Sequence, residues 1–180
     1  GGTIKLDGNY PVGTDNVALG NTALDSVQSG GNYNVAVGAN AGTAITTGDS
    51  NVAIGDVALT ANTTASNNVA VGSVAMNVNT TGGNNVAVGT QSLRNNTASN
   101  NSAVGYRASH DNTTGTRNVS MGSDAMYQTT TGNDLVGIGN EALTRNTTGS
   151  SNVAIGKEAL SRNTTASNNT AVGHQAAYNN

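Results

Sequence analysis

The 180-residue chain has no cysteine, no tryptophan and no phenylalanine, and its single proline is Pro11. Without cysteine it forms neither disulfide staples nor thiolate metal sites. Without large aromatic rings it cannot build a core in which a few bulky side chains bury most of the apolar area. The apolar share is 35% and is largely Ala and Val, so any core must lie thin and close to the backbone. Charge is scarce as well: 9% of residues, with seven Lys and Arg against ten Asp and Glu, for a net charge of −3. That leaves no basic footprint for nucleic acid and no polybasic anchor for a membrane surface. No apolar run approaches the length that spans a bilayer, so membrane insertion of this segment is not expected. Low charge also removes the self-repulsion that keeps weakly hydrophobic chains expanded.

Asn, Thr, Ser, Ala, Val and 24 Gly make up most of the chain, and they recur with a fixed beat. A motif of the form Asn-Val-Ala-Val-Gly, as in Asn51-Val52-Ala53-Ile54-Gly55, ends in Gly20, Gly38, Gly55, Gly72, Gly89, Gly105, Gly122, Gly139, Gly156 and Gly173. The spacings are 18, 17, 17, 17, 16, 17, 17, 17 and 17 residues. Repetition at this period is the signature of a solenoid, in which each repeat is one coil stacked on the last. β-Branched residues before each Gly predict a short strand that the Gly ends with a turn. The Ala-Leu pairs that follow, such as Ala58-Leu59, sit in too few residues for a viable helix. A polar return loop, typically Asn-Thr-Thr-Ala-Ser-Asn, completes the coil. The expected fold is therefore all-β, a parallel β-solenoid of about ten 17-residue coils. Its repeat domain spans residues 16–180, after a lead-in strand, cap or linker over residues 1–15. The chain opens Gly1-Gly2 and stops partway through a repeat at Asn179-Asn180, which reads as a portion of something longer.

Aligned by their glycines, the repeats become columns. One before the Gly every residue is apolar, and three before it most are Val, the exceptions being Ser102 and Thr170. Alternate strand residues share a face, so these two columns are expected to point into the core together. Four before the Gly stand Asn16, Asn34, Asn51, Asn68, Asn85, Asn101, Asn118, Asn152 and Asn169, with Leu135 the exception. Stacked amides in register can bond along such a column, and an Asn ladder is expected here. Two before the Gly stand Ala18, Ala36, Ala53, Ala70, Ala87, Ala103, Ala154 and Ala171, with Ser120 and Gly137 in the remaining coils. On the face opposite the valines, such small residues suggest close packing against sister chains, so this column is expected to be the subunit interface of a homotrimer. Gly42 stands where Leu is usual, with Ile45 as its replacement.

These residues carry a likeness. The Asn-Val-Ala-Val-Gly strand followed by a short apolar pair resembles the head repeats of trimeric autotransporter adhesins. The longer form, Asn51 to Asn67 with its Asn-Thr-Thr-Ala-Ser-Asn return, is more similar to repeats in tail-fibre and other virion appendage proteins of phages, notably those infecting cyanobacteria. The resemblance covers Asp15 to the end. It implies a left-handed parallel β-roll assembled as a trimer, extracellular on a virion or cell surface, with a host receptor or glycan as target.

Chemistry-bearing residues are few. His110 and His174 stand in different columns four coils apart, and Asp56, Asp124, Glu141 and Glu158 sit singly after their Gly turns. No nucleophile–base set, phosphate-cradling loop or metal-ligand spacing is present, so neither catalytic residues nor a cofactor or metal are expected. Sequons in the return loop place Asn62, Asn79, Asn112, Asn146 and Asn163 in one column, candidates for glycosylation in a compartment with the right transferase. The other reading is chance in a chain so rich in Asn and Thr. The function these features point to is a structural or adhesive fibre segment, the shaft or receptor-facing part of a phage tail fibre. The alternatives are the head of a bacterial trimeric surface adhesin, or the repeat unit of an extracellular, glycosylated filament that stacks end to end through its open strand edges.

Overall fold

A computed structural model describes residues 13–179. The lead-in expected over residues 1–15 lies almost wholly outside them. Ten three-residue strands follow one another: β1 (Val17–Leu19), β2 (Val35–Val37), β3 (Val52–Ile54), β4 (Val69–Val71), β5 (Val86–Val88), β6 (Ser102–Val104), β7 (Val119–Met121), β8 (Val136–Ile138), β9 (Val153–Ile155) and β10 (Thr170–Val172). They form one parallel sheet in sequence order. Register is exact by column, with Ala53 paired to Ala70 and Ile54 to Val71. No helix occurs among the described residues. The protein is a parallel β-solenoid.

The glycine that ends each strand but the last is required twice over. Gly55 has φ +130°, a conformation that strains any other residue, and a Cβ there would lie 2.6 Å from the carbonyl oxygen of Gly72. Successive turns touch backbone to backbone, which leaves no room for a side chain.

Beyond the turn the chain does not form a second strand. It runs through linked turns in which the second and fourth residues after the Gly are left-handed, as at Val57 (φ 50°) and Leu59 (φ 52°). Each reversal sends an amide in the opposite direction along the axis. Val57 donates its N–H back to Ala39 at 2.9 Å, while Leu59 donates forward to Ala75 at 2.9 Å. Backbone groups outside the sheet thus find partners in neighbouring coils, as buried amides must.

The interior reverses one expectation. The Ala column is the buried one: Ala36, Ala70, Ala87, Ala103 and Ala154 are wholly inaccessible. The Val and Ile columns on either side are half-buried or exposed, Ile54 and Val104 at 37%. Each strand therefore turns its central small residue inward and its flanking aliphatics outward. The cause is the width of the coil. Leu59, Met76, Leu93, Leu143 and their equivalents point inward from the opposite wall and are fully buried. Only a methyl-sized residue fits between them and the strand.

Departures from the repeat show the same fit. Gly137 replaces Ala in the coil where Met126 is the inward residue, and a Cβ at Gly137 would lie 2.6 Å from Met126 Cγ. In the preceding coil Ser109 replaces Leu and Ser120 replaces Ala, and their hydroxyls bond at 2.9 Å. Ile45 is buried and its Cδ1 occupies the space beside Gly42, 3.0 Å from where a Cβ would stand. The 18- and 16-residue spacings are absorbed in the return loop, where connections tolerate changes in length.

Candidate functional site

Two columns of amides line the other half of the interior. In the first, four before each Gly, the side-chain oxygen accepts the backbone N–H of the next coil's residue. Asn51 N–H bonds Asn34 Oδ1 at 3.0 Å, and Asn68 N–H bonds Asn51 Oδ1 at 3.1 Å. The pattern continues from Asn101 to Asn118 (3.0 Å) and from Asn118 to the N–H of Leu135 (3.0 Å). The Nδ2 donors cross the coil to loop carbonyls, as from Asn51 to Ala65 at 2.9 Å and from Asn118 to Gly132 at 2.8 Å. The ladder is thus an amide-to-backbone strut, with direct amide–amide bonds only in places, such as Asn85 to Asn68 at 3.2 Å.

The second column consists of Asn62, Asn79, Asn96, Asn112, Asn146 and Asn163, all fully buried. Each Nδ2 closes its own loop, as from Asn62 to the carbonyl of Ala65 at 3.0 Å and from Asn146 to that of Gly149 at 2.9 Å. This overturns glycosylation of Asn62, Asn79, Asn112, Asn146 and Asn163 in the folded chain. Their amide nitrogens are inside the solenoid, already bonded, and a glycan there would have to displace the core. The Thr row beside them is also structural: Thr113, Thr130 and Thr147 each donate the hydroxyl to the next coil's backbone carbonyl at 2.9–3.0 Å.

Burial of the Ala column also removes it from the trimer contact expected of it. Ala18, Ala36, Ala53, Ala70, Ala87, Ala103, Ala154 and Ala171 are buried within their own chain. They cannot touch a sister chain, because every side chain in the column is already enclosed by its own coil.

Three outer faces remain, and they differ in chemistry. The strand face carries the Val and Ile columns, apolar at every position of the ten coils except Ser102 and Thr170, with no charge. The loop face carries neutral hydroxyls and amides, such as exposed Thr64, Thr81 and Thr148, with the exposed Arg117–Asp134 ion pair at 2.6 Å. The turn face follows each glycine. In the coils of Gly55 and Gly72 it holds Asp56, Val57, Thr60, Ser73, Val74 and Asn77. From Arg94 onward it gathers nearly all the basic and aromatic side chains of the described residues.

The densest part of the turn face lies over the coils of Gly105 and Gly122. The Arg107 guanidinium sits 4.8 Å from the Tyr106 ring centre and 4.9 Å from that of Tyr127. It pairs with Asp124 at 2.8 Å. His110 stacks on Tyr127 with ring centres 5.0 Å apart, and its Nδ1 lies 2.7 Å from Asp111. His174 is exposed on the same face, four coils on. The sequence reading took His110, His174 and Asp124 singly and did not single out Tyr106, Arg107, Asp111 or Tyr127. The signal for their grouping was present, since Arg107 with Asp124 and His110 with Tyr127 are each 17 residues apart, one full coil.

Among the described residues, no three His, Cys, Asp or Glu side chains form a group that could hold a metal ion, and no helix is long and apolar enough to cross a membrane.

No family model, curated protein or solved structure matches this chain.

Proposed function

We propose that this chain is a structural and adhesive segment of an extracellular fibre, the shaft or receptor-facing part of a phage tail fibre or related virion appendage. The observation that carries the proposal is the aliphatic strand face. Ten rungs at about 4.8 Å make a stripe roughly 48 Å long, two outward columns wide. Isolated soluble chains rarely expose so long an apolar strip, and strips rimmed by polar residues serve as association surfaces. A partner of the same 4.8 Å pitch can seat its side chains between these rungs along the whole length, and another copy of this chain has that pitch. Three copies around a common axis would cover the strand faces and leave the turn and loop faces outward, which is the homotrimer favoured here. The contact would be made by Val69, Val71, Ile54 and their column mates rather than by the alanines.

Native mass spectrometry tests the assembly. The expected mass is three times the 17.8 kDa chain. Val69→Lys with Val71→Lys, two half-buried outward positions, should release single chains with an unchanged far-ultraviolet circular dichroism spectrum. A parent protein that runs as one chain would sink the assembly on which this function depends. The head of a bacterial surface adhesin would use the same face, and attachment to virions or to cells separates the two readings.

A further inference from the structure

The turn face over the coils of Gly105 and Gly122 is not required by the fold. The coils of Gly38, Gly55 and Gly72 keep the same backbone with Ala39 and Asn40, Asp56 and Val57, and Ser73 and Val74 in the positions held by Tyr106 and Arg107. The same left-handed φ occurs at Asn40 (55°) and Arg107 (52°). Thr60 and Asn77 stand in the column of His110 and Tyr127. Large aromatic and cationic side chains placed where small residues suffice are explained by something outside the chain.

We propose that this patch binds a neutral saccharide. The inference rests on the receptor-facing reading above and names the chemistry of the target. Tyr106 is 48% exposed with Arg107 stacked on one side of its ring, and the rest of the ring offers apolar surface for the C–H side of a pyranose. Beside it, Arg107 and Asp124 keep side-chain exposures of 34% and 20%, so donors and an acceptor lie at the rim of the ring for a sugar's hydroxyls. The guanidinium is held between two rings and a carboxylate, and Tyr127 is held against His110. Groups ordered before binding lose little freedom on contact. Charge selects the ligand class. Arg107 is matched by Asp124, and Asp111 faces His110. A polyanion would meet these carboxylates, and an apolar chain would strand the paired charges without water. A molecule with one C–H face and a rim of hydroxyls satisfies both parts.

The test is titration of the isotope-labelled full chain with D-glucose, D-galactose, N-acetyl-D-glucosamine and L-rhamnose at millimolar concentrations, read as amide chemical shifts. At least one sugar is expected to shift Tyr106, Arg107, Asp111, Asp124 and Tyr127, leaving the loop face unmoved. Tyr106→Ser with Arg107→Asn installs residues that other coils already carry there, so the fold should be retained by circular dichroism while the shifts vanish. Two outcomes overturn the site: no sugar moves those amides, or the folded double variant binds as the parent does. Either would leave the assembly mass unchanged, so failure of the site is distinct from failure of the fibre reading.

Discussion

Replacing Asn51 by Ala isolates what the amide ladder contributes. Asn51 is wholly buried. Its Oδ1 accepts the N–H of Asn68 at 3.1 Å, and its Nδ2 donates to Ala65 O at 2.9 Å and to Asn34 Oδ1 at 3.1 Å. Asn34 Oδ1 keeps the backbone N–H of residue 51, so it is not orphaned. The Asn68 N–H loses the partner that Asn51 supplied, whereas the Ala65 carbonyl keeps the Nδ2 of Asn62 at 3.0 Å. A buried donor left without a partner costs about 1–3 kcal/mol, and that is the expected loss. Urea unfolding followed by circular dichroism measures it, and hydrogen exchange at the Asn68 amide should accelerate locally. Thr64→Ala, an exposed loop site next to Ala65, is the control and should change stability by less than about 0.5 kcal/mol. If Asn51→Ala costs no more than the control and Asn68 exchanges as before, the amide ladder carries no stability and does not hold the coils together.

Gly137→Ala should destabilise by about 1–3 kcal/mol through overpacking against Met126, and adding Met126→Leu, which recreates the Leu–Ala pair of other coils, should recover most of it. Val74→Asn should raise the melting temperature, gaining about 1 kcal/mol, because a β-branched residue is strained at φ 61° whereas Asn tolerates that conformation, as Asn40 does at 55°. Acid should remove a small stabilising contribution from the exposed carboxylates. Hydrogen bonding from Arg117 holds Asp134 below its usual range, and hydrogen bonds from Gln175 and then Lys157 do the same for Glu158. A carboxylate with a depressed folded-state pKa stabilises above its unfolded value and loses that contribution as pH falls towards the folded one. Asp134→Asn should therefore flatten stability against pH in the acid limb and change little else, measured by thermal unfolding across that range.

The repeat, the strand, the turn and the parallel stack were all written in the sequence, because each depends on local chemistry repeated at a fixed interval. A glycine after a β-branched run, ten times over, admits few backbone paths. The amide column could be read for the same reason, since one residue type held its place with Leu135 as the exception.

What the sequence left open was direction. Strand alternation says that Val52 and Ile54 share a face and that Ala53 takes the other, but the rule is unchanged when the two faces are exchanged. The choice belongs to the opposite wall of the coil: Leu59 fills the interior, and the strand must yield space with Ala70, across the same coil. Ser109 bonded to Ser120 carried that information as a paired departure. The loop asparagines were misread for a related reason. A sequon describes three consecutive residues, and whether Asn62 meets solvent or the core is set by the loop turning back so that the Asn62 Nδ2 bonds the Ala65 carbonyl inside the coil. Periodicity fixes which residues are neighbours along the axis. Which way each column points is decided by how much volume a coil of this circumference can hold.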